Sequence, residues 1–415
     1  MDYKNLTPES TAAYIKNETD LFPEDADLDV YEIGSSGNNA NDGDGFINFV
    51  FRISDTKTHH SVILKQARDY ARTFKGDTPF IPERNATEAK LMAIKSAITP
   101  DYIPEIYRVD ETNHLYICED CGNLKIWRFA LDDGKIYPKI PKMVGELVAK
   151  NNFYTSELYL EPEVHQKLEA TFNNATMRNL FENILFLHII TTPEEKDPVR
   201  LEMADVIWED HTFCTEMLKL RHIYMAKSEC LIHSDLHTSN IMVDADHMKT
   251  IDMEYAFMGP CSADSGYLIG NFLYQYLRWF YCPATEDSTP EEMRAYALDC
   301  IRDFLNTYFD VFKACWAKDV RKIYQGFDDY RDYLLDRYFH ETVGFIGCQI
   351  MSRIGRDTAT PDIDTIPDKN DQYEACRILL LIAQYLVLHR EEIADTDALI
   401  KTVVELTETS RKALH

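Results

Sequence analysis

An α+β fold of two lobes is predicted, with a β-rich N-terminal lobe over residues 1–121 and a larger, mostly helical C-terminal lobe over residues 122–415. Three observations predict it. The chain has 415 residues, more than one hydrophobic core usually supports. Short apolar runs rich in β-branched and aromatic residues, bounded by turn-forming segments, crowd the part before residue 120. From Asn123 onward apolar residues recur instead at helical spacing over long segments.

Composition narrows the function. Hydrophobic residues at 45% and charged residues at 27% describe an ordinary globular protein. The balance of 43 basic against 70 acidic residues, a net charge of -27, argues against nucleic acid or an anionic membrane as partner. A site for a polyanion must therefore gather Lys, Arg or a divalent cation locally. The N-terminus lacks an apolar leader, and the greasiest stretch, Leu268–Cys282, is interrupted by Asn271, Gln275 and Arg278, as in a buried helix. Ten cysteines without regular spacing suggest reduced thiols and a cytoplasmic setting.

In chain order, Thr7–Lys16 reads as a short helix opened by Thr7-Pro8-Glu9-Ser10. Strands follow at Val30–Ile33 and Phe46–Ile53, joined by a Gly/Asn/Asp-rich connection. Gly43 and Gly45 in that connection, with Asn48 beyond it, are the expected nucleotide-covering residues, because a glycine hairpin lets backbone N–H groups lie over phosphates. The same stretch superficially resembles a calcium loop, but that register puts Ala40 and Phe51 at the two principal ligand positions. Ser61–Gln66 is a third strand carrying Lys65, and the helix expected over Asn85–Ser96 offers Glu88 as its partner. A Lys–Glu pair that holds the lysine against phosphates is the kinase arrangement. The plain alternative is a solvated lysine at a strand end.

Two further strands, Ile106–Val109 and Leu115–Glu119, flank the turn Asp110–Asn113. Cys118 and Cys121 have no second Cys/His pair at zinc spacing, so they read as thiols in a connector. Helices are expected at Met143–Tyr154, Glu163–Thr171, Met177–Ile189, Pro198–Ile207 and His211–Glu229, and again at Tyr267–Tyr281, Pro290–Trp316, Tyr330–Ile354, Gln372–Arg390 and Asp395–Ala413. The connection Thr358–Lys369 is long enough for a lid.

The chemistry concentrates between Leu231 and Glu254. The stretch His233-Ser234-Asp235-Leu236-His237-Thr238-Ser239-Asn240 leads into a hairpin from Ile241 to Ile251, and Asp252-Met253-Glu254 follows. Hard oxygen ligands with one spare carboxylate suit magnesium plus a base that orients an attacking hydroxyl. Asp235 is then the catalytic carboxylate, Asn240 and Asp252 the metal ligands, and ATP with Mg2+ the cofactor. His233 and His237 read as loop-fixing residues, and Asp264 as a brace for the loop. The plain alternative is a polar loop before an ordinary hairpin.

This pattern resembles the catalytic loop of the protein-kinase-like small-molecule phosphotransferases, the aminoglycoside and choline kinases among them. Beyond it, Phe46–Arg52, Leu64-Lys65-Gln66-Ala67, Phe153–Leu158, His233–Thr238 and Glu254–Pro260 resemble, in order, the methylthioribose kinase family. The resemblance implies a kinase-like fold and phosphorylation of the anomeric hydroxyl of a thiosugar in methionine salvage, with a homodimer as the common assembly. It also implies that Glu254 joins the metal ligands, that adenine lies against Glu119, and that a pair of arginines serves the substrate. Here the pair reads Ser352-Arg353, so only Arg353 carries over; Arg356 is a candidate substitute for the missing arginine, with a solvated helix end as the plainer reading. Ser234 and Ser239 stand where the family has glycines, and Asn240 where it has serine. Two other readings stay open: a kinase of another small hydroxylated metabolite (aminoglycoside, choline/ethanolamine or homoserine type), and a catalytically silent scaffold, which would have no need for Lys65, Asp235, Asn240 and Asp252 together.

Overall fold

The computed structural model describes residues 4–34, 47–70, 81–187, 197–356 and 358–414. The chain divides into two compact units, Met1–Trp127 with Ser239–Ala256, and Arg128–Thr238 with Phe257–His415. The boundary thus falls at Trp127 rather than after residue 121, and the hairpin after the Asp235 loop belongs to the first unit. Strand pairing is the reason, since Ile126 lies opposite Met242.

The first unit holds a five-stranded antiparallel sheet of β1 (Leu28–Glu32), β2 (Phe49–Asp55), β3 (Ser61–Gln66), β4 (Ile106–Asp110) and β5 (Leu115–Glu119), in the order β1-β2-β3-β5-β4. Alternation along the strands sends Phe51, Ile53, Val62 and Leu64 into a core with Leu6 and Ile15. Ile15 comes from helix Pro8–Glu18, whose Thr7 and Ser10 form a reciprocal capping box. Lys65, next to Leu64, points to the opposite face, where Tyr116 of β5 stands opposite it and helix Arg84–Ile98 supplies Glu88. A second sheet of β6 (Lys125–Ile126), β8 (Ile241–Val243) and β9 (Met248–Thr250) contains the expected hairpin. Its turn is closed by the Asp244 carboxylate, which accepts from the N–H groups of Asp246 and His247 at 2.7 Å each.

The second unit is mostly helical. Helices at Ile140–Tyr154, Pro162–Thr171, Pro198–Trp208, Pro290–Asp319, Asp328–Arg353, Lys369–His389 and Thr396–Leu414 meet the expected segments with ends shifted by a few residues. Helix Ala263–Arg278 is buried along its whole length, as its apolar run with few polar breaks required. Three expectations are corrected. The helix expected to reach Glu229 is His211–Ala226, because Cys230–Ile232 (β7) pairs with Phe257–Gly259 (β10). Within Met177–Ile189 the described residues are α-helical only to Glu182, from Ala175, and continue as a wider turn over Asn183–Leu187, the last two positions lying outside the described residues. The connection Thr358–Lys369 is tied down rather than lid-like: it contains helix Pro361–Asp364, Ile363 is fully buried, Asp364 pairs with Arg200, and Arg278 donates to the Asp362 carbonyl at 2.9 Å. No helix among the described residues is long and apolar enough to cross a membrane.

Candidate active site

In the first unit, β3 and helix Arg84–Ile98 bring Lys65 and Glu88 together, Nζ to Oε2 at 2.8 Å, with Glu88 fully buried. Lys65 also pairs with Asp252, which sits just past β9. Burial alone would lower the lysine's pKa, but Asp252 and then Glu88 more than offset it, so the ammonium is held protonated. Glu88 fixes the other end of the arrangement too, accepting from the Met253 N–H at 3.0 Å. Asp252 is in the left-handed region, φ 63°, a conformation that costs a non-glycine residue energy and that its surroundings must enforce. Asn240, buried in the turn before β8, accepts the Ile251 N–H through its carbonyl at 3.0 Å, which ties it to the segment carrying Asp252.

The remaining sequence-derived residues of this unit behave differently. Glu254, 1% exposed, accepts from both Asn48 Nδ2 and Arg84 Nε at 2.9 Å through one oxygen. Arg84 also donates to Asn48 Oδ1 at 2.8 Å, so the three close a buried ring. Burial and the neighbouring Asp252 carboxylate push Glu254 up to about 7. Glu254 and Asn48 therefore meet each other and an arginine that sequence reasoning missed. Arg84 gave no signal, since it opens a helix, where cations are usually solvated. The Glu119 carboxylate pairs with Lys249 at 3.0 Å. Gly43 and Gly45 lie outside the described residues.

Magnesium fits part of the expected set. Among the described residues no cluster of three or more Asp, Glu, His or Cys has metal-binding geometry. Magnesium, however, keeps several waters and is commonly held by one or two carboxylates plus substrate phosphates. Asp252, its side chain 37% exposed, and the amide of Asn240 offer that hard-oxygen chemistry; Asp252 and Glu254 each have one oxygen in an ion pair, with Lys65 and Arg84, and Glu254 is the one buried away from solvent.

In the second unit, Asp235 follows β7. His237 Nε2 lies 3.6 Å from its Oδ2, and Arg353 and Tyr267 act on it electrostatically. Burial would raise the acid's pKa, but His237, Arg353 and His233 hold it down at about 2. The loop is braced as expected: Asp264 accepts from the His233 and Ser234 N–H groups, both at 2.7 Å. Ser234, where the resembled family has glycine, has φ 73°; its hydroxyl hydrogen-bonds Tyr224 at 2.6 Å, which helps to hold that conformation. Tyr267 was not anticipated, because its place beside Asp235 is set by the packing of helix Ala263–Arg278. At the missing arginine, Ser352 is turned back on the Gln349 carbonyl at 2.7 Å. Arg356 is no solvated helix end: it is 5% exposed and donates to the carbonyls of Asn183 and Ile184.

A lysine paired with a helix glutamate beneath a five-stranded sheet, and an ionised aspartate on a braced loop, define a small-molecule kinase. The phosphotransferase enzyme family model (APH) matches residues 190–298. In solved structures, choline kinase from Cryptosporidium parvum shares the fold, with a TM-score of 0.50 and 13% identity over 97% of this chain and 99% of that one. Among sequences, methylthioribose kinase of Geobacillus thermodenitrificans is 30% identical, covering 88% of this chain and 90% of its own, and that of Bacillus mycoides is 30% identical over the full length of both. The chain belongs to the methylthioribose kinase family.

Proposed function

We infer that this enzyme phosphorylates the anomeric hydroxyl of S-methyl-5-thioribose with ATP, a step of methionine salvage. The observation that carries the substrate is the full-length similarity to proteins of that name, at 30% identity. The Lys65–Glu88–Asp252 arrangement supports the phosphoryl-transfer chemistry.

Each residue then has a task. Glu88 positions Lys65, which exchanges its contact with Asp252 for the α- and β-phosphates as nucleotide binds. Asp252 and Asn240 would hold magnesium, which would supply positive charge to offset that of the phosphates. Glu254 supplies negative charge behind Asp252 and fixes Arg84 and Asn48. Asp235 orients the acceptor hydroxyl and takes its proton late, since a carboxylate with a pKa of about 2 is too weak a base to remove it beforehand. That suits a loose transition state, in which positioning and charge compensation outweigh base strength. His237 and then Arg353 keep Asp235 ionised, Arg353 also offers a guanidinium to the transferred group, and Glu119 and residues 43–48 serve adenine and phosphates. A cytoplasmic homodimer accords with ten cysteines that are all free thiols and with the family's habit.

A coupled ADP-release assay over methylthioribose, choline, homoserine and an aminoglycoside tests the reading. Turnover of methylthioribose well above the others is expected, and its absence removes the substrate assignment.

A further inference from the structure

The second unit carries a cavity of about 410 Å³ among helix Pro162–Thr171, helix Ala175–Glu182 and β10, which contains none of the residues assigned above. Its size falls within the roughly 300–1,000 Å³ range of small-molecule sites. Its lining joins three chemistries. Arg178 supplies a half-buried guanidinium, Glu169 an exposed carboxylate, and Ala170 with the almost fully buried Phe172 and Met258 a small apolar part.

Arg178 is the informative residue. Its guanidinium stacks on Phe257 at 4.6 Å, one nitrogen donates to the Met225 carbonyl, and Nε is buried without an acceptor among the described residues. Among the described residues no carboxylate is in hydrogen-bond contact with it. Glu182, the acid one turn along the same helix, is spent on Arg221, and Glu169 acts on Arg178 only through space. A part-buried guanidinium lacking a carboxylate favours an anionic group from outside. A phosphate or other dianion would meet repulsion from Glu169. A zwitterion meets both charges with the right sign.

We propose that this cavity binds a free α-amino acid, its carboxylate on Arg178 and its ammonium on Glu169. Occupancy has a physical route to the catalytic loop. The Arg178 guanidinium lies on Phe257, whose ring packs edge-on against Tyr224 at 5.1 Å, and the Tyr224 hydroxyl bonds Ser234, the neighbour of Asp235. Drawing Arg178 toward a carboxylate therefore loads the contact that holds Ser234 in its left-handed conformation.

Isothermal titration of the full chain with valine, leucine, methionine and phenylalanine, and with acetate, ethylamine and inorganic phosphate, tests the site without reference to the kinase substrate. Saturable binding is expected for at least one amino acid and for none of the three fragments. Arg178→Gln and Glu169→Gln should each weaken it roughly tenfold to a hundredfold, the loss of one charged hydrogen-bond partner. Glu169 is exposed, so Glu169→Gln keeps the test valid even if Arg178→Gln misfolds. Hydrogen exchange of the peptide spanning residues 231–238 should change on saturation. No saturable binding, equal binding by Glu169→Gln, or phosphate binding in preference to every amino acid overturns the site. Unchanged exchange in 231–238 overturns the route to the loop.

Discussion

Asp235→Asn removes one negative charge and almost no volume, so its consequences can be worked from the surroundings of the carboxylate. In the folded protein the acid is held at about 2 against an ordinary 3.8. A lowered folded pKa means that ionised Asp235 contributes stability above pH 3.8, and that the contribution is lost as the pH falls toward 2. The size is about 2 kcal/mol, at roughly 1.4 kcal/mol per pH unit. The variant should therefore be less stable than wild type by about that amount at pH 7, and by much less at pH 2 to 3. Urea unfolding at a series of pH values reads this directly. Turnover should fall about 10²- to 10⁴-fold, the usual effect of losing a positioned acid–base group, while nucleotide affinity changes only a few-fold. A variant that keeps more than about a tenth of wild-type kcat, or loses ATP affinity in step with kcat, would refute the role given to Asp235.

Lys65→Met leaves Glu88 and Asp252 facing each other without their cation; a loss of about 3–5 kcal/mol in unfolding free energy and a rise in the KM for ATP are expected, and an unaltered KM in steady-state kinetics would contradict the phosphate role. Arg84→Leu strands the buried Glu254 carboxylate and should cost about 3–5 kcal/mol in chemical denaturation, with much of it recovered in Arg84→Leu/Glu254→Leu. Ser234→Ala deletes the bond to Tyr224 but keeps the strained backbone, and should cost about 1–3 kcal/mol; Ser234→Gly relieves that strain and should be the milder variant in thermal melts. Asp362 is pushed up to about 6 by burial and then by Asp132. A raised folded pKa makes its contribution complete below pH 3.8 and lost as the pH climbs through 6, so wild type should lose about 3 kcal/mol over that window that Asp362→Asn does not, measured by unfolding at pH 4 and pH 7.

Much of the site was legible because its parts are short-range. A lysine in an apolar strand, a carboxylate–amide loop before a hairpin and an Asp-x-Glu after it are each written in a few consecutive residues, and Asp264 as a brace follows from the loop's need for acceptors at its N–H groups. The surroundings of Glu254 were less legible. The resemblance makes it a metal ligand, and one of its oxygens meets Arg84, 170 positions away in the chain, a contact no local pattern shows. Arg356 misled, reading as solvated when helix packing buries it.

Local pattern by itself determined the strand-rich beginning, the helical remainder and the hairpin turn, because turn chemistry and periodicity act over a handful of residues. It could not decide where one unit stops, since β6 finds its partner in residues more than a hundred positions later. Nor could it decide which carboxylates are neutralised, nor that Arg178 would face a cavity without a carboxylate in contact. Those outcomes depend on which charges are brought within a few ångströms and shielded from water, and Coulomb energy in a buried site is set by that distance and that shielding.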